Sequence, residues 1–151
     1  MEQNISPLAV SIVGTWNLIS FEAHSDSNEI SYPFGAGAQG LLIYTETGRF
    51  SVQLMHPDRP RFVIGDQMKG TPEETETNYR GFISYYGHYE FDHEGGFVLH
   101  HVEGSLFPNW EGQSLKRFVD LSDNRLKLST PPTLWGGGGT IIAIVEWERV
   151  E

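Results

Sequence analysis

Short runs in which apolar and polar residues alternate follow one another along most of the chain, and this alternation has the period of half-buried β-strands. Several pairs of these runs are separated by only a few turn residues, as in β-hairpins. The predicted hairpin turns are 46–48, 93–96 and 123–124. Further strands are predicted at 14–24 and 140–150. Most of the chain is therefore predicted to form consecutive antiparallel strands.

One segment, 71–81, departs from this pattern and predicts a short helix. Thr71 is placed to cap the helix, Pro72 suits its first turn, and acidic residues follow at the positive end of the helix dipole. Three other segments are rich in glycine, proline or polar residues and are predicted to be irregular. These segments are 25–39, 57–70 and 131–139.

Consecutive antiparallel strands can close on themselves, which leaves no exposed sheet edge. The predicted fold is therefore all-β, a roughly eight-stranded antiparallel up-and-down β-barrel with one short helix, in a single domain over residues 1–151. A barrel of this size holds either side chains alone or one small ligand.

Composition and charge exclude several classes of function. The chain has 151 residues, a net charge of −10 and no cysteine. Phosphate backbones and anionic membrane surfaces would be repelled, so neither nucleic acid nor a membrane is an expected partner. Disulfides and cysteine-based metal sites are excluded. Residues 1–14 show neither the basic region nor the apolar stretch of a signal peptide, so a cytoplasmic location is expected.

Several motifs resemble those of the lipocalins. GTW at 14–16 resembles the Gly-x-Trp element of their first strand, and WER at 147–149 places an arginine where lipocalins cover that tryptophan with a basic residue. Further segments are similar to small bacterial and fungal lipocalin-like domain proteins: YPFG, GLLIYT, DRPRF, SYYGHYEFD, HHVEGSLFPNWEG and LSTPP. This resemblance covers nearly the whole chain and implies a barrel of the type that serves both carriers and cofactor-free enzymes.

Strand alternation predicts which side chains face the barrel interior, because the more apolar or uncharged face of each strand is expected to point inward. The predicted inward residues of three strands are Ile83, Tyr85, Gly87, Tyr89, Phe91, Val98, His100, Val102, Leu115, Arg117, Val119 and Leu121. Gly87 is expected to leave a gap in this face. Arg117 needs a partner, and an internal carboxylate, a tyrosine, an anionic ligand or a salt bridge at the barrel mouth would each serve.

The second strand of the first hairpin leaves the choice of face open. Phe50, Val52 and Leu54 make the better core. Gln53 and Met55, on the other face, are kept as candidate cavity residues, because a ligand-binding barrel can carry polar groups inside.

The candidate site combines groups suited to proton transfer on an apolar substrate. His100 titrates near neutrality, Tyr85 can donate to a developing oxyanion, and Arg117 can stabilise an enolate or a carboxylate. The candidate ligand-binding residues are Tyr44, Gln53, Met55, Tyr89, Val102, Ser105, Phe107 and Trp110, with Phe107 and Trp110 as an apolar lid. No metal or nucleotide motif is found, so no cofactor is expected.

Two functions remain, and the polar residues expected inside favour the first. One is a small, cofactor-free isomerase, cyclase or lyase acting by acid–base chemistry on a hydrophobic, oxygenated small molecule. The other is a non-catalytic carrier of such a molecule. An enzyme predicts titratable groups that face one another near the middle of the barrel, whereas a carrier predicts an apolar cavity with polar groups only at its rim. A homodimer is left open.

Overall fold

The computed structural model describes residues 11–150, so residues 1–10, where the lack of a signal peptide was predicted, lie outside it together with residue 151. The strands are β1 (Gly14–Ser25), β2 (Ile30–Ser31), β3 (Gln39–Tyr44), β4 (Arg49–Met55), β5 (Phe82–Asp92), β6 (Phe97–Ser105), β7 (Ser114–Ser122), β8 (Arg125–Ser129), β9 (Thr133–Leu134) and β10 (Thr140–Arg149). The helix is α1 (Pro72–Arg80), and a 3₁₀ turn spans Pro108–Trp110. None of the helices within 11–150 has the length and apolar character needed to cross a membrane.

Hydrogen bonds between the first and last long strands close the barrel. The neighbours in the closed order are β1, β3, β4, β5, β6, β7, β8 and β10, and all of these pairs are antiparallel. The short strands β2 and β9 pair with β1 and β10. The predicted all-β, roughly eight-stranded antiparallel up-and-down barrel with one short helix is confirmed.

The two ends of the barrel differ in the length of their connections. At one end, which we call the turn end, the hairpin connections are 45–48, 93–96 and 123–124. At the other, which we call the loop end, the connections are 26–38, 56–81, 106–113 and 130–139. Tight turns therefore cover one end of the barrel, and long connections cover the other.

Trp16 closes the turn end. Its side chain is fully buried, and its indole nitrogen donates a hydrogen bond to the carbonyl of Ile12 at 2.9 Å. The guanidinium of Arg149 lies 4.3 Å from the indole ring and donates to the carbonyls of Ser11 and Val13. The arginine on the last strand therefore covers the tryptophan of the first.

Helix α1 forms where its capping signals predicted it. The Thr71 hydroxyl accepts a hydrogen bond from the Glu74 backbone N–H, and the Glu74 carboxylate accepts one from the Thr71 N–H. Pro72 occupies the first turn. Together these interactions satisfy backbone N–H groups that the start of a helix would leave without partners.

Two of the segments predicted to be irregular contain more structure than expected. Segment 25–39 includes β2 and buries Phe34 edge-to-face against Phe21 at 5.2 Å. Segment 131–139 includes β9. The two short strands pair alongside long strands, β2 with β1 and β9 with β10. This pairing is not visible in the local sequence pattern.

The inward faces of β5, β6 and β7 are those predicted. In β6, Val98, His100 and Val102 are buried, whereas Glu103 is exposed. In β4, Phe50, Val52 and Leu54 are buried, so alternation turns the other side chains outward. Gln53 and Met55 therefore lie on the outer face, and their candidate placement in the cavity is wrong. The Gln53 amide donates to the Ser51 hydroxyl on that same face.

Gly87 does not leave the gap that was expected. A β-bulge between Tyr86 and Gly87 distorts the pairing of β5 with β6. A Cβ atom on Gly87 would overlap the backbone carbonyl oxygen of His101. The space beside Gly87 is therefore filled by the backbone of β6.

Candidate functional site

The imidazole of His100 lies at the centre of a buried polar network and is 1% exposed. Its Nε2 lies 2.6 Å from the Tyr44 hydroxyl, and its Nδ1 lies 3.2 Å from the Tyr85 hydroxyl. The Phe50 ring stacks on the imidazole with ring centroids 4.2 Å apart. Both nitrogens thus have partners, and one ring face is covered.

Four consecutive strands of the barrel supply this cluster. Tyr44 ends β3, Phe50 is near the start of β4, Tyr85 lies in β5 and His100 lies in β6. All four side chains point inward because alternation places each of them on the interior face of its strand. The sequence prediction included Tyr44 as a candidate ligand-binding residue, but it gave Phe50 only a place in the core.

The electrostatic environment keeps this network neutral. Burial is the main cause that lowers the pKa of His100 well below its usual range, and the charges of Arg117 and His101 lower it further. Burial, with a smaller contribution from Tyr85, raises the pKa of Tyr44 well above its usual range. A neutral imidazole accepts one hydrogen bond and donates one, so the two tyrosine hydroxyls use its whole capacity.

Arg117 faces this network from the other side of the barrel. Its cross-strand neighbour is the fully buried Val98, which fixes the inward direction of the arginine. In the closed strand order β7 lies opposite β3, so Arg117 faces the side that carries Tyr44. Across residues 11–150, no carboxylate lies within salt-bridge distance of the guanidinium, which donates to the carbonyl of Lys116 at 3.1 Å.

The wall formed by β7 and β10 is packed less completely than the opposite wall. Inward side chains of β3, β4 and β6 are buried. The inward apolar side chains of β7 and β10 keep partial access to solvent although they face the barrel axis. They are Leu115, Val119, Leu121, Ala143 and Val145. Water therefore reaches the inward side chains of β7 and β10, although Leu126 and Leu128 of β8, the strand between them, are buried.

Aromatic side chains lie between this interior and the loop end. The Trp110 ring packs edge-to-face on Tyr85 at 5.1 Å, and Phe107 packs on Trp110 at 5.6 Å. The Ser105 hydroxyl accepts a hydrogen bond from the Phe107 N–H, which helps to fix this loop. The rings of Tyr85, Trp110 and Phe107 thus form a continuous aromatic contact from β5 to the loop that follows β6.

Tyr89 and Val102 are inward, as predicted, but in different surroundings. The Tyr89 hydroxyl donates to the carbonyl of Thr45 at 2.7 Å, and its ring lies 4.7 Å from that of Tyr44. Tyr89 therefore supports the turn-end side of the network. Val102 is buried in the core.

An apolar rim lies at the loop end, and of its residues only Phe107 was predicted from the sequence to contact a ligand. Each of the four long connections exposes large apolar side chains there. These residues are Ile30, Tyr32, Val63, Ile64, Met68, Leu106, Phe107, Leu134 and Trp135. The rim gives a hydrophobic molecule an apolar surface at the entrance to the barrel.

The other histidines of the middle strands form a separate cluster on the outer wall. His88 pairs with Glu103, and His101 pairs with Glu90 at 2.8 Å. Arg49 also contacts Glu103. No group of three His, Cys, Asp or Glu side chains in residues 11–150 is arranged to hold a metal ion. This cluster and His100 are on opposite faces of the sheet.

A family described as "Lipocalin-like domain" matches residues 13–150. The chain belongs to this lipocalin-like family. It is also similar to the 4'-hydroxy-3'-methoxypropiophenone carrier protein ppsC of Aspergillus oryzae (strain ATCC 42149 / RIB 40), with 28% identity over 106 residues. That alignment covers 66% of this chain and 96% of the relative. No solved structure matches the chain significantly.

Membership of the lipocalin-like family agrees with the closed barrel and the covered tryptophan at its turn end. In this lipocalin-like protein the polar groups lie deep in the interior, at Tyr44, Tyr85, His100 and Arg117, while the free wall and the entrance are apolar. The family and its carrier relative support binding of a small molecule.

Proposed function

We propose that this lipocalin-like protein binds a small hydrophobic, oxygenated molecule inside its barrel and acts as a carrier or binding protein. The observation that carries this proposal is the incomplete burial of the inward apolar side chains of β7 and β10. Apolar surface that faces a barrel axis but stays accessible to water gains free energy when a ligand covers it, by about 25 cal/mol per Å². Because the barrel is closed, the loop end offers the route inward.

The carrier relative supports the same class of function. The name of that protein identifies the molecule it carries as an aromatic ketone with a phenol and a methoxy group. A ligand of this type has an apolar ring for the β7 and β10 wall and oxygen atoms for the polar groups. We therefore propose an aromatic, oxygenated molecule as the ligand class.

The proposed binding residues fall into three groups along the barrel. The wall comprises Leu115, Val119, Ala143 and Val145. The entrance comprises Tyr85, Ser105, Phe107 and Trp110. The polar base comprises Tyr44 and Arg117, with Tyr89 on its turn-end side and Val102 on its loop-end side.

Ligand titration by calorimetry tests this proposal, with 4'-hydroxy-3'-methoxypropiophenone as the probe. Leu115→Phe adds volume to the inner face of β7 on the loop-end side of Arg117 and is expected to weaken binding by about tenfold or more. Ile142→Phe is the matched control, because Ile142 is exposed on β10 and the added volume points away from the core. Equal affinities for the two variants, or no saturable binding by the unmodified protein, would contradict the proposal.

An acid–base enzyme is the second candidate, and the Tyr44–His100–Tyr85 network supports it because it places titratable groups in the middle of the barrel. The same network argues for a binding role, since both imidazole nitrogens are occupied and proton transfer to a substrate would break a buried hydrogen bond. Hydrogen–deuterium exchange at the carbon next to the probe ketone separates the two. Exchange that is catalysed by the protein and lost in both His100→Ala and Tyr85→Phe would favour the enzyme.

A further inference from the structure

Arg117 is a cation placed inside a barrel without an anion beside it among residues 11–150. Its guanidinium stays charged at all physiological pH values. The inward direction follows from its pairing with Val98, and the side chain is only partly accessible to water. A partly desolvated charge is costly unless an opposite charge or several hydrogen bonds compensate for it.

The groups that face Arg117 do not supply this negative charge. Tyr44 and His100 are both neutral and bonded to each other. Tyr89 already donates its hydroxyl proton to the carbonyl of Thr45. Arg117 favours the deprotonated form of both Tyr44 and His100, which is the expected effect of a nearby uncompensated cation. The polar base of the barrel therefore has a positive potential.

We infer that the ligand carries one acidic oxygen and binds as an anion, with that oxygen against the guanidinium of Arg117. This inference rests on the proposed binding function and specifies the chemistry of its ligand. The class is a hydrophobic monoanion whose charge is on oxygen, as in a phenolate, an enolate or a carboxylate. The rest of the molecule extends from Arg117 past Leu115 towards Trp110 and the loop end.

Because the protein as a whole is negatively charged, an anionic ligand needs a local positive charge in order to bind. The net charge of −10 opposes the approach of an anion. Salt screens that repulsion beyond about 8 Å, whereas a contact with a partly desolvated guanidinium is screened much less. The guanidinium of Arg117 therefore favours the binding of an anion inside the barrel. The same positive charge disfavours a protonated amine.

A pair of probes that differ in one acidic proton tests the inference. 4'-Hydroxy-3'-methoxypropiophenone ionises at its phenol, and its 4'-O-methyl ether does not. We expect the unmodified protein to bind the phenol about tenfold more tightly than the ether. The phenolate absorption band of the bound probe is expected to appear at a lower pH than that of the free probe.

Variants identify Arg117 as the cause. Arg117→Met is expected to remove the preference for the phenol while still binding the ether, and Arg117→Lys to keep part of it. Arg125→Met, on the outer face of β8, is the matched control and is expected to keep the full preference. Binding of the ether by Arg117→Met also reports that this variant is folded.

Two results would overturn the inference. If both probes bind the unmodified protein equally and Arg117→Met changes neither affinity, the anion assignment is wrong while the binding function stands. If neither probe gives saturable binding, the proposed function fails and the inference fails with it. If Arg117→Met does not fold, the preference of the unmodified protein and the pH of the phenolate band decide the question.

Discussion

The hydroxyl oxygen of Tyr44 lies 2.6 Å from Nε2 of His100, and each residue is 1% exposed. The two are 56 residues apart in sequence and come from β3 and β6. Because neither side chain reaches water, each depends on the other to satisfy a polar atom. Removing one partner therefore leaves a buried polar atom on the other without its hydrogen bond.

Tyr44→Phe is expected to lower the free energy of unfolding by about 1–3 kcal/mol, which is the usual range for leaving a buried polar group unsatisfied. Chemical denaturation measures this difference. Tyr86→Phe is the control, because Tyr86 is exposed on the outer face of β5, and it is expected to change stability by less than about 0.5 kcal/mol. Equal stabilities of the two variants would show that the Tyr44 hydrogen bond adds nothing.

The lowered pKa of His100 predicts a loss of stability in acid. Burial favours the neutral ring in the folded protein, so below about pH 6.5 the unfolded chain binds more protons at this residue. The contribution of His100 is complete above that pH and is lost as the pH falls towards the folded-state pKa, by at most about 1.4 kcal/mol per pH unit.

Comparison with His100→Gln isolates this effect, because the two proteins differ only at this residue. We expect the free energy of unfolding of the unmodified protein to fall more steeply below about pH 6.5 than that of the variant. Burial raises the pKa of the neighbouring Tyr44 well above its usual range, so Tyr44 stays neutral over this pH range. Parallel pH profiles would mean that His100 is not held neutral by its surroundings.

The barrel could be predicted from sequence because its main determinants are local. Alternation over successive strands, with short turns such as 46–48 and 123–124, is visible in the chain itself. Closure of the barrel between β1 and β10 joins residues more than 100 positions apart, so no local pattern predicts it. It was predicted only from the general need to remove sheet edges and from the family resemblance.

The site was predicted less completely, because alternation gives a direction but not a contact. It placed His100 and Tyr85 inward, yet it did not identify Phe50 as the ring that stacks on the imidazole. It also left open which face of β4 points inward, because Gln53 and Met55 alternate as regularly as the apolar residues of the other face. The register with β3 and β5, which sequence spacing does not fix, resolves that choice.

Gly87 is expected to tolerate no side chain. An added Cβ would overlap the carbonyl of His101 at the β-bulge, so the pairing of β5 with β6 must shift to accommodate it. Gly87→Ala should therefore lower the free energy of unfolding by about 2 kcal/mol or more. Gly138→Ala is the control, because a Cβ there meets no atom within 4 Å and its φ is not positive. A stable Gly87→Ala variant would contradict the close approach of the two strands.

Arg149 is expected to be the most important cation for stability, because its guanidinium both covers Trp16 at 4.3 Å and donates to the carbonyls of Ser11, Val13 and Asp123. Arg149→Met should lower the free energy of unfolding by about 2–3 kcal/mol, since it removes a cation–π contact and leaves charge-assisted hydrogen bonds unmade.

Arg149→Lys separates charge from geometry. It keeps the positive charge but not the planar fork that reaches several carbonyls, so a partial loss of stability is expected. Arg125→Met is the control, because the guanidinium of Arg125 is about half exposed and pairs with Glu146 and Glu148 on the outer wall. A surface pair of this kind contributes at most about 1 kcal/mol. If chemical denaturation gives the same loss for Arg149→Met and Arg125→Met, then covering Trp16 does not stabilise the turn end of the barrel.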